Sequence, residues 1–250
     1  MRKAATRVAR AALACLPVLA ATTAAHADPA DYVFPVTVEK GEKEIEFKAG
    51  TAKLRDGTRE SEYRFGIGYG FTDWWFSELG ANFHKEPGQQ NNFDAWEWEN
   101  RFQLTETGKY WADVGFLLEV ERPKDRSVGF EYKWGPLFQK DFGPKVTANL
   151  NILIEKQTRV APQQHAELGY QWQVRYRYRK EFEFGAQGFG DVGPWDHWEK
   201  TSEQPHILGP AAFGEFKVGG QEIKYNAGLL FGITHGSPRN TLRMQLEYEF

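Results

Sequence analysis

The chain has 250 residues, with 31 lysines and arginines against 34 aspartates and glutamates, a formal charge of −3 and 15% aromatic residues. This aromatic content excludes an intrinsically disordered chain, and the slightly negative charge offers no general attraction to nucleic acid. Outside the N-terminus no run approaches the roughly 20 consecutive apolar residues of a transmembrane helix, so a helical membrane protein is excluded as well.

The first 27 residues have the composition of a signal peptide. A basic region over 2–10 is followed by an apolar stretch over 11–21 and by a small-x-small motif at 25–27. We therefore expect a mature chain that begins at Asp28, without the single cysteine, Cys15, and hence without disulfides. Lipoprotein processing at Cys15 is an alternative, although the residues before it fit that signal poorly.

Residues 28–43 are rich in polar and turn residues, and we expect a short N-terminal lead there rather than a strand. From 44 to 250 the chain alternates apolar and polar residues with a period of two. The last segment shows it best, because five apolar residues from Leu242 to Phe250 interleave with four polar ones. Such alternation is typical of β-strands and does not fit helical spacing.

The alternating segments are separated by turn residues and predict an all-β domain of about twelve strands. Lys53 breaks the pattern of the first strand, and an error at either terminal hairpin would give ten or fourteen strands. The twelve segments lie near 44–55, 60–71, 74–85, 93–104, 111–121, 127–141, 145–156, 164–178, 181–191, 206–218, 222–234 and 240–250.

Alternation alone also fits a secreted soluble sandwich, whose apolar face turns inward. Three further features favour a membrane protein instead. The polar face is rich in glycine, which suits a crowded lumen. Connections alternate between tight turns and longer loops, of which 191–205 is the longest. Large aromatics cluster at two levels of the apolar face, as at membrane interfaces: Trp74, Trp75, Tyr110, Tyr178 and Phe182 at one, Trp96, Trp98, Phe130 and Trp134 at the other.

In hydrocarbon every backbone N–H and C=O group needs an internal partner, and an antiparallel sheet provides this only when it closes on itself. The sequence therefore predicts a transmembrane antiparallel up-and-down β-barrel. Its short turns and both termini are expected on one side of the membrane, and its longer loops on the other.

The ending Leu246-Glu247-Tyr248-Glu249-Phe250 resembles the assembly signal of Gram-negative outer-membrane β-barrel proteins. With the leader and the strand pattern, this class-level resemblance covers essentially the whole chain. It implies a periplasmic lead, a location in the outer membrane with lipid as a partner, and recognition of Phe250 by the assembly machinery. By strand number the chain is similar to twelve-stranded solute channels, which implies passive passage of small solutes.

Charges of both signs fall on the face opposite the lipid. They either pair across strands and fill a narrow lumen, or line a water-filled pore with a weak preference for cations. The acidic residues concentrate on strands four to six, and two arginines stand across the barrel on strand eight. The candidate lining residues are Arg64, Glu97, Glu99, Arg101, Glu119, Glu131, Lys133, Arg175, Arg177 and Arg243.

Other chemistry has weaker support. His84 and His165 are candidate metal ligands at the loop side, near Asp94, Asp191 and Asp196, but no close ligand spacing supports a metal site. We expect no cofactor, no nucleic acid partner and no enzyme activity. Lipid hydrolysis would need a Ser–His pair, for which Ser77 and the Ser237–His235 loop are poor candidates. A non-transporting barrel that serves as a scaffold or plug is a further alternative.

Overall fold

The computed structural model describes residues 28–159 and 165–250, so the predicted signal peptide lies outside the described residues. No helix in these ranges is long and apolar enough to cross a membrane. The described chain forms twelve strands: β1 (Lys43–Lys53), β2 (Arg59–Thr72), β3 (Trp75–Lys85), β4 (Asn92–Gln103), β5 (Asp113–Pro123), β6 (Glu131–Phe142), β7 (Val146–Gln157), β8 (Glu167–Arg179), β9 (Phe182–Pro194), β10 (His206–Val218), β11 (Gln221–Gly232) and β12 (Asn240–Glu249).

The twelve strands form one closed antiparallel barrel in which each strand pairs with its sequence neighbours. β1 and β12 close the barrel, with a register that runs from Glu44 opposite Glu249 to Lys53 opposite Asn240. Closure leaves no unpaired edge, as a sheet in a membrane requires. The predicted fold is confirmed, and the first strand forms in spite of Lys53. One of the larger differences from the predicted strand boundaries is at β6, which begins at Glu131 rather than at 127.

The two ends of the barrel differ in their connections. Four connections at one end are tight, at 73–74, 143–145, 180–181 and 219–220, and the fifth, 104–112, is longer. We call this the turn end, and the opposite end, whose connections range from 54–58 to 195–205, the loop end. The backbone N–H of Phe250 donates to the carbonyl of Lys43 at 3.0 Å, so the C-terminus is held at the turn end.

The outer surface of the barrel is apolar, as the parity of the strands predicts. Large hydrophobic side chains stand exposed along it, among them Ile67 (66% exposed) and Leu79 (67%). Aromatics mark both ends of this surface, for example Trp111 and Tyr178 at the turn end and Trp96 at the loop end, all more than half exposed. A surface of this kind is stable against lipid and not against water, so the barrel is a transmembrane one.

The segment before β1 lies inside the barrel and not in the periplasm, which corrects the expectation for residues 28–43. Tyr32, Phe34 and Val36 are at most 4% exposed. We call residues 28–42 the lead segment. It starts near the loop end, where Ala30 bonds Glu62 of β2, and leaves at the turn end, where Gly41 bonds Gly70. Its apolar side chains find partners only within the folded lumen, which strand periodicity does not reveal.

Candidate functional site

The lumen is the candidate functional site, and hydrogen bonds hold the lead segment along its length. The Ala30 N–H donates to Glu62 Oε2 at 3.3 Å, and Asn151 Nδ2 donates to the Phe34 carbonyl at 3.2 Å. Nearer the turn end, the Val38 N–H donates to Gln103 Oε1 at 2.9 Å. These bonds satisfy backbone groups that burial would otherwise leave unpaired.

Apolar side chains on the inner face of the barrel receive the lead segment. Leu117, Leu137 and Leu153 stand at inward positions of β5, β6 and β7 and are nearly inaccessible to solvent. They form one buried cluster with Tyr32, Phe34 and Val36, and a second cluster joins Val33 to Phe189, Ile207 and Leu230.

These luminal apolar residues were missed by the sequence interpretation. The signal that could have revealed them is a break in parity, since apolar side chains on the polar face of a barrel strand need an apolar partner inside. Leu117 and Leu137 are such breaks. The next inward residue on the same strand is polar in both cases, Glu119 after Leu117 and Gln139 after Leu137.

Ion pairs line the wall around the lead segment on β1 to β6. Arg64 lies 2.9 Å from Glu97, and Arg101 Nε lies 3.1 Å from Glu99 Oε1. The Tyr32 hydroxyl donates to the other carboxylate oxygen of Glu99, so the lead segment joins this network. The Lys48 ammonium, which pairs with Glu46, lies 3.3 Å from the centre of the Tyr32 ring.

Acidic groups outnumber basic ones among the buried charges. Of the described buried side chains, eight are carboxylates and four are lysines or arginines. Glu119 belongs to this set and pairs with Lys133 at 3.4 Å, while Lys133 also lies 3.4 Å from Glu155. Arg243 is buried as well, donates to Gln187 at 3.0 Å and lies 4.9 Å from the ring of Phe189.

Two cavities lie in the lumen on either side of the buried clusters. The loop-end cavity has a volume of about 290 Å³ and is lined by Glu131 and Lys133. The turn-end cavity has a volume of about 740 Å³ and is lined by Glu99, Arg101, Arg175 and Arg177. They share none of their described lining residues, so the lead segment separates two polar chambers.

The turn-end cavity carries opposite charges on opposite walls. Arg175 and Arg177 of β8 face a wall with Glu44 and Glu46 of β1 and Glu99 of β4. Glu121 of β5 and Glu131 of β6 line the other cavity instead, so the acidic residues of strands four to six are divided between the two cavities. This corrects the expected arrangement, because strand order gives a position around the barrel and not a depth.

Local partners partly neutralise the two arginines of β8. Arg175 Nε lies 3.1 Å from Glu183 Oε2, and Arg177 lies 3.1 Å from Asp141. Both keep about a third of their side-chain surface exposed, so a solute in the turn-end cavity can reach them. An arginine with free N–H donors there is suited to hold a carboxylate or another oxygen-rich group.

Metal ligation has limited geometric support. His84 and His165 line the loop-end cavity, and His165 Nδ1 lies 3.4 Å from Asp196 Oδ1. Among the described residues neither belongs to a group of three ligand atoms within 4.8 Å. The two groups that meet this spacing are the carboxylates of Glu42, Glu44 and Glu249, and those of Glu78, Glu97 and Glu99. Both include carboxylates already paired with lysine or arginine.

The two candidate nucleophiles make other bonds. The Ser77 hydroxyl donates to the carbonyl of Glu99 and accepts from the indole of Trp98. The Ser237 hydroxyl donates to the carbonyl of His206 at 2.8 Å and accepts from its N–H at 2.7 Å. These contacts involve the backbone of His206, and within 28–159 and 165–250 neither hydroxyl bonds an imidazole nitrogen.

Comparisons with known proteins relate the chain to channels by fold. No protein-family model matches it, and no curated protein does. The COG4313 outer membrane channel from Pseudomonas putida F1 is 12% identical with a TM-score of 0.60, over 89% of this chain and 98% of that one. The NanC porin is 10% identical with a TM-score of 0.56, over 82% of this chain and 98% of that one. The fold is therefore that of an outer-membrane β-barrel.

Proposed function

We propose that the protein is an outer-membrane channel for small polar solutes, with a weak preference for cations and a passage limited by the lead segment. The closed barrel, its lipid-compatible outer face and its charged interior support this proposal. Its fold likeness to an outer membrane channel and to a porin points the same way. Recognition of Phe250 by the assembly machinery stays a prediction from the sequence.

The observation that carries the proposal is the position of the lead segment between two polar cavities. A barrel without a passage could fill its interior completely with side chains. Here chambers of about 290 and 740 Å³ remain in the lumen, one lined by the start of the lead segment and the other by its later residues. Solutes cross when this segment shifts or loosens.

The preference for cations follows from the surplus of carboxylates. Eight buried acidic side chains against four basic ones leave the described interior negative, and fields in a narrow low-dielectric lumen are screened weakly. The opposed walls of the turn-end cavity add a field across the passage that orients a polar solute.

The experiment is a reversible cross-link of the lead segment to the wall. A β-carbon placed at Gly115 would lie 3.4 Å from Val36 Cγ1, so side chains at these two positions would be in contact. The pair Val36→Cys and Gly115→Cys is introduced into the mature chain, which holds no other cysteine because Cys15 belongs to the predicted leader. Single-channel conductance is recorded in planar bilayers before and after reduction.

We expect the oxidised pair to conduct less than the wild type and to recover on reduction, whereas each single cysteine variant is unaffected by reductant. A bilayer that stays sealed for the wild type and for the reduced pair contradicts the channel. That result favours a non-transporting structural barrel, which the filled lumen otherwise also fits.

A further inference from the structure

The outer face of the barrel carries three cations at the loop end that the channel proposal does not use. Lys53, which breaks the alternation of the first strand, ends β1, Arg59 begins β2 and Lys85 ends β3; we call them the rim cations. Ala52 is 1% exposed and points into the lumen, so Lys53, its neighbour, points outward. Arg59 lies directly opposite Lys53 and shares this face. Lys85 lies opposite Ser61, two residues along β2 from Arg59, and shares it as well.

The strand ends at the loop end sort their charges by face. Arg122 of β5, which lies opposite the exposed Trp96, and Lys156 of β7 point outward like the rim cations. Seven strand carboxylates line the loop-end cavity instead, together with a single lysine, and Glu60 shares the inward face of Ala52. In the described strands this end is therefore positive towards the membrane and negative towards the lumen.

The rim cations have no acidic partner within the described chain. No ion pair of residues 28–159 and 165–250 includes any of the three. Asp56 and Glu86, in the adjoining connections, accept hydrogen bonds from residues of their own turns. Lys53 lies between Arg59 and the neutral Asn240, and like charges directly opposite each other destabilise a sheet. An anion from outside the chain would offset this repulsion.

The rim cations stand at the edge of an aromatic part of the outer face. The ring of Phe83, two residues before Lys85, lies 6.1 Å from that of Phe65 and 5.7 Å from that of Phe93. Phe65 is 51% exposed and Trp96, whose ring lies 5.2 Å from Phe93, is 60% exposed. Such rings mark a membrane interface, where long cationic side chains reach the lipid headgroups. Because outer-membrane barrels carry their longer loops outside, these headgroups belong to the outer leaflet.

From this placement we propose that the rim cations dock the phosphates of the outer-leaflet glycolipid, a phosphorylated and multiply acylated disaccharide. β-carbons directly opposite each other in a sheet are about 4.5–5.5 Å apart and diagonal ones about 7–8 Å, so Arg59 and either lysine can reach one phosphate. Arg59 supplies paired N–H donors, Lys53 and Lys85 supply point charges, and the acyl chains lie against Phe65 and Phe83. The inference concerns the outer face and holds whether or not the lumen conducts.

The test titrates lipid A against the full mature barrel in neutral detergent and counts bound lipid by native mass spectrometry, at about 0.15 M salt, where distant exposed charges are largely screened. Dephosphorylated lipid A and phosphatidylglycerol are the comparison lipids. The rim variant combines Lys53→Gln, Arg59→Gln and Lys85→Gln. The matched control removes the same charge from three cations near aromatic rings at the turn end: Lys43→Gln, Lys140→Gln and Lys145→Gln.

We expect the rim variant to bind lipid A about tenfold more weakly than the wild type, since it loses three charge-assisted contacts, and the turn-end control to bind it as the wild type does. Lys53→Arg with Lys85→Arg keeps the charge and should retain binding, and dephosphorylated lipid A should not distinguish the rim variant from the wild type. Equal binding of lipid A by the wild type and the rim variant overturns the proposal. Phosphatidylglycerol bound by the wild type as tightly as lipid A overturns it as well.

Discussion

At the scale of single residues, Gly50 on β1 decides how closely the lead segment approaches the wall. A β-carbon at this position would lie 1.8 Å from the Pro29 carbonyl oxygen and 2.1 Å from its carbon. Both are backbone atoms, so no side-chain rotation could relieve the clash. The absence of a side chain at Gly50 therefore permits the contact with the start of the lead segment.

We expect Gly50→Ala to displace residues 29–30 at a cost of about 1–3 kcal/mol, the range for overpacking. The readout is hydrogen exchange of the Ala30 amide, which should become about tenfold faster or more. Gly169→Ala is the control, because a β-carbon there meets its nearest atom, the Gly190 carbonyl oxygen, at an ordinary 3.4 Å. Unchanged exchange in Gly50→Ala would contradict the close packing of the segment.

At the scale of elements, β8 shows how one strand serves two environments. Its outward residues Val174 and Tyr178 are exposed to lipid, while Arg175 and Arg177 line the turn-end cavity. Successive side chains of a strand point to opposite faces, so alternation in the sequence becomes alternation between hydrocarbon and lumen. β8 thereby brings positive charge to a chamber whose opposite wall is acidic.

Charge reversal on this strand should change selectivity. Arg175→Glu with Arg177→Glu removes both positive groups and leaves their former partners, Glu183 and Asp141, unneutralised. The permeability ratio of K⁺ to Cl⁻, read from the reversal potential in a salt gradient, should rise severalfold. The control reverses two exposed charges of the loop 124–130, with Lys124→Glu and Arg126→Glu. An unshifted reversal potential in the β8 variant removes these arginines from the pathway.

At the scale of the whole molecule, the barrel is organised opposite to a water-soluble protein. Its large hydrophobic side chains cover the outside, and most of its buried polar side chains point inward. The sheet has no edge because β1 pairs with β12, so every strand has two neighbours. This arrangement is stable only where the surroundings are apolar and cannot supply hydrogen bonds to the backbone.

A charge placed on the outer surface should therefore cost more at mid-depth than at an end. Leu79 lies near the middle of β3 and Val218 at the turn end of β10, and both are more than half exposed. We expect Leu79→Arg to lower the free energy of unfolding in lipid vesicles by about 2–4 kcal/mol and Val218→Arg by about 0–1 kcal/mol. Urea titration measures both. Equal effects of the two substitutions would contradict the membrane orientation.

Sequence alone determined the strands, their number and the side of each that faces lipid, because these depend on a period of two and on local turn chemistry. The final strand up to Phe250 is an example, since its pattern is local and complete. The candidate lining residues could be assigned to a face for the same reason. Their depth and pairing could not be assigned, as the positions of Glu121 and Glu131 show.

Only the tertiary structure decided what occupies the lumen. The lead segment has apolar residues at every second position from Tyr32 to Val38, but this short pattern does not say what covers them. Their burial depends on Leu117, Leu137 and Leu153, each more than 80 residues from Tyr32 in the sequence. Local propensity carries no information about contacts at such separations. Closure of the barrel brings three strands to one height and creates the apolar surface, and the lead segment is ordered because that surface exists.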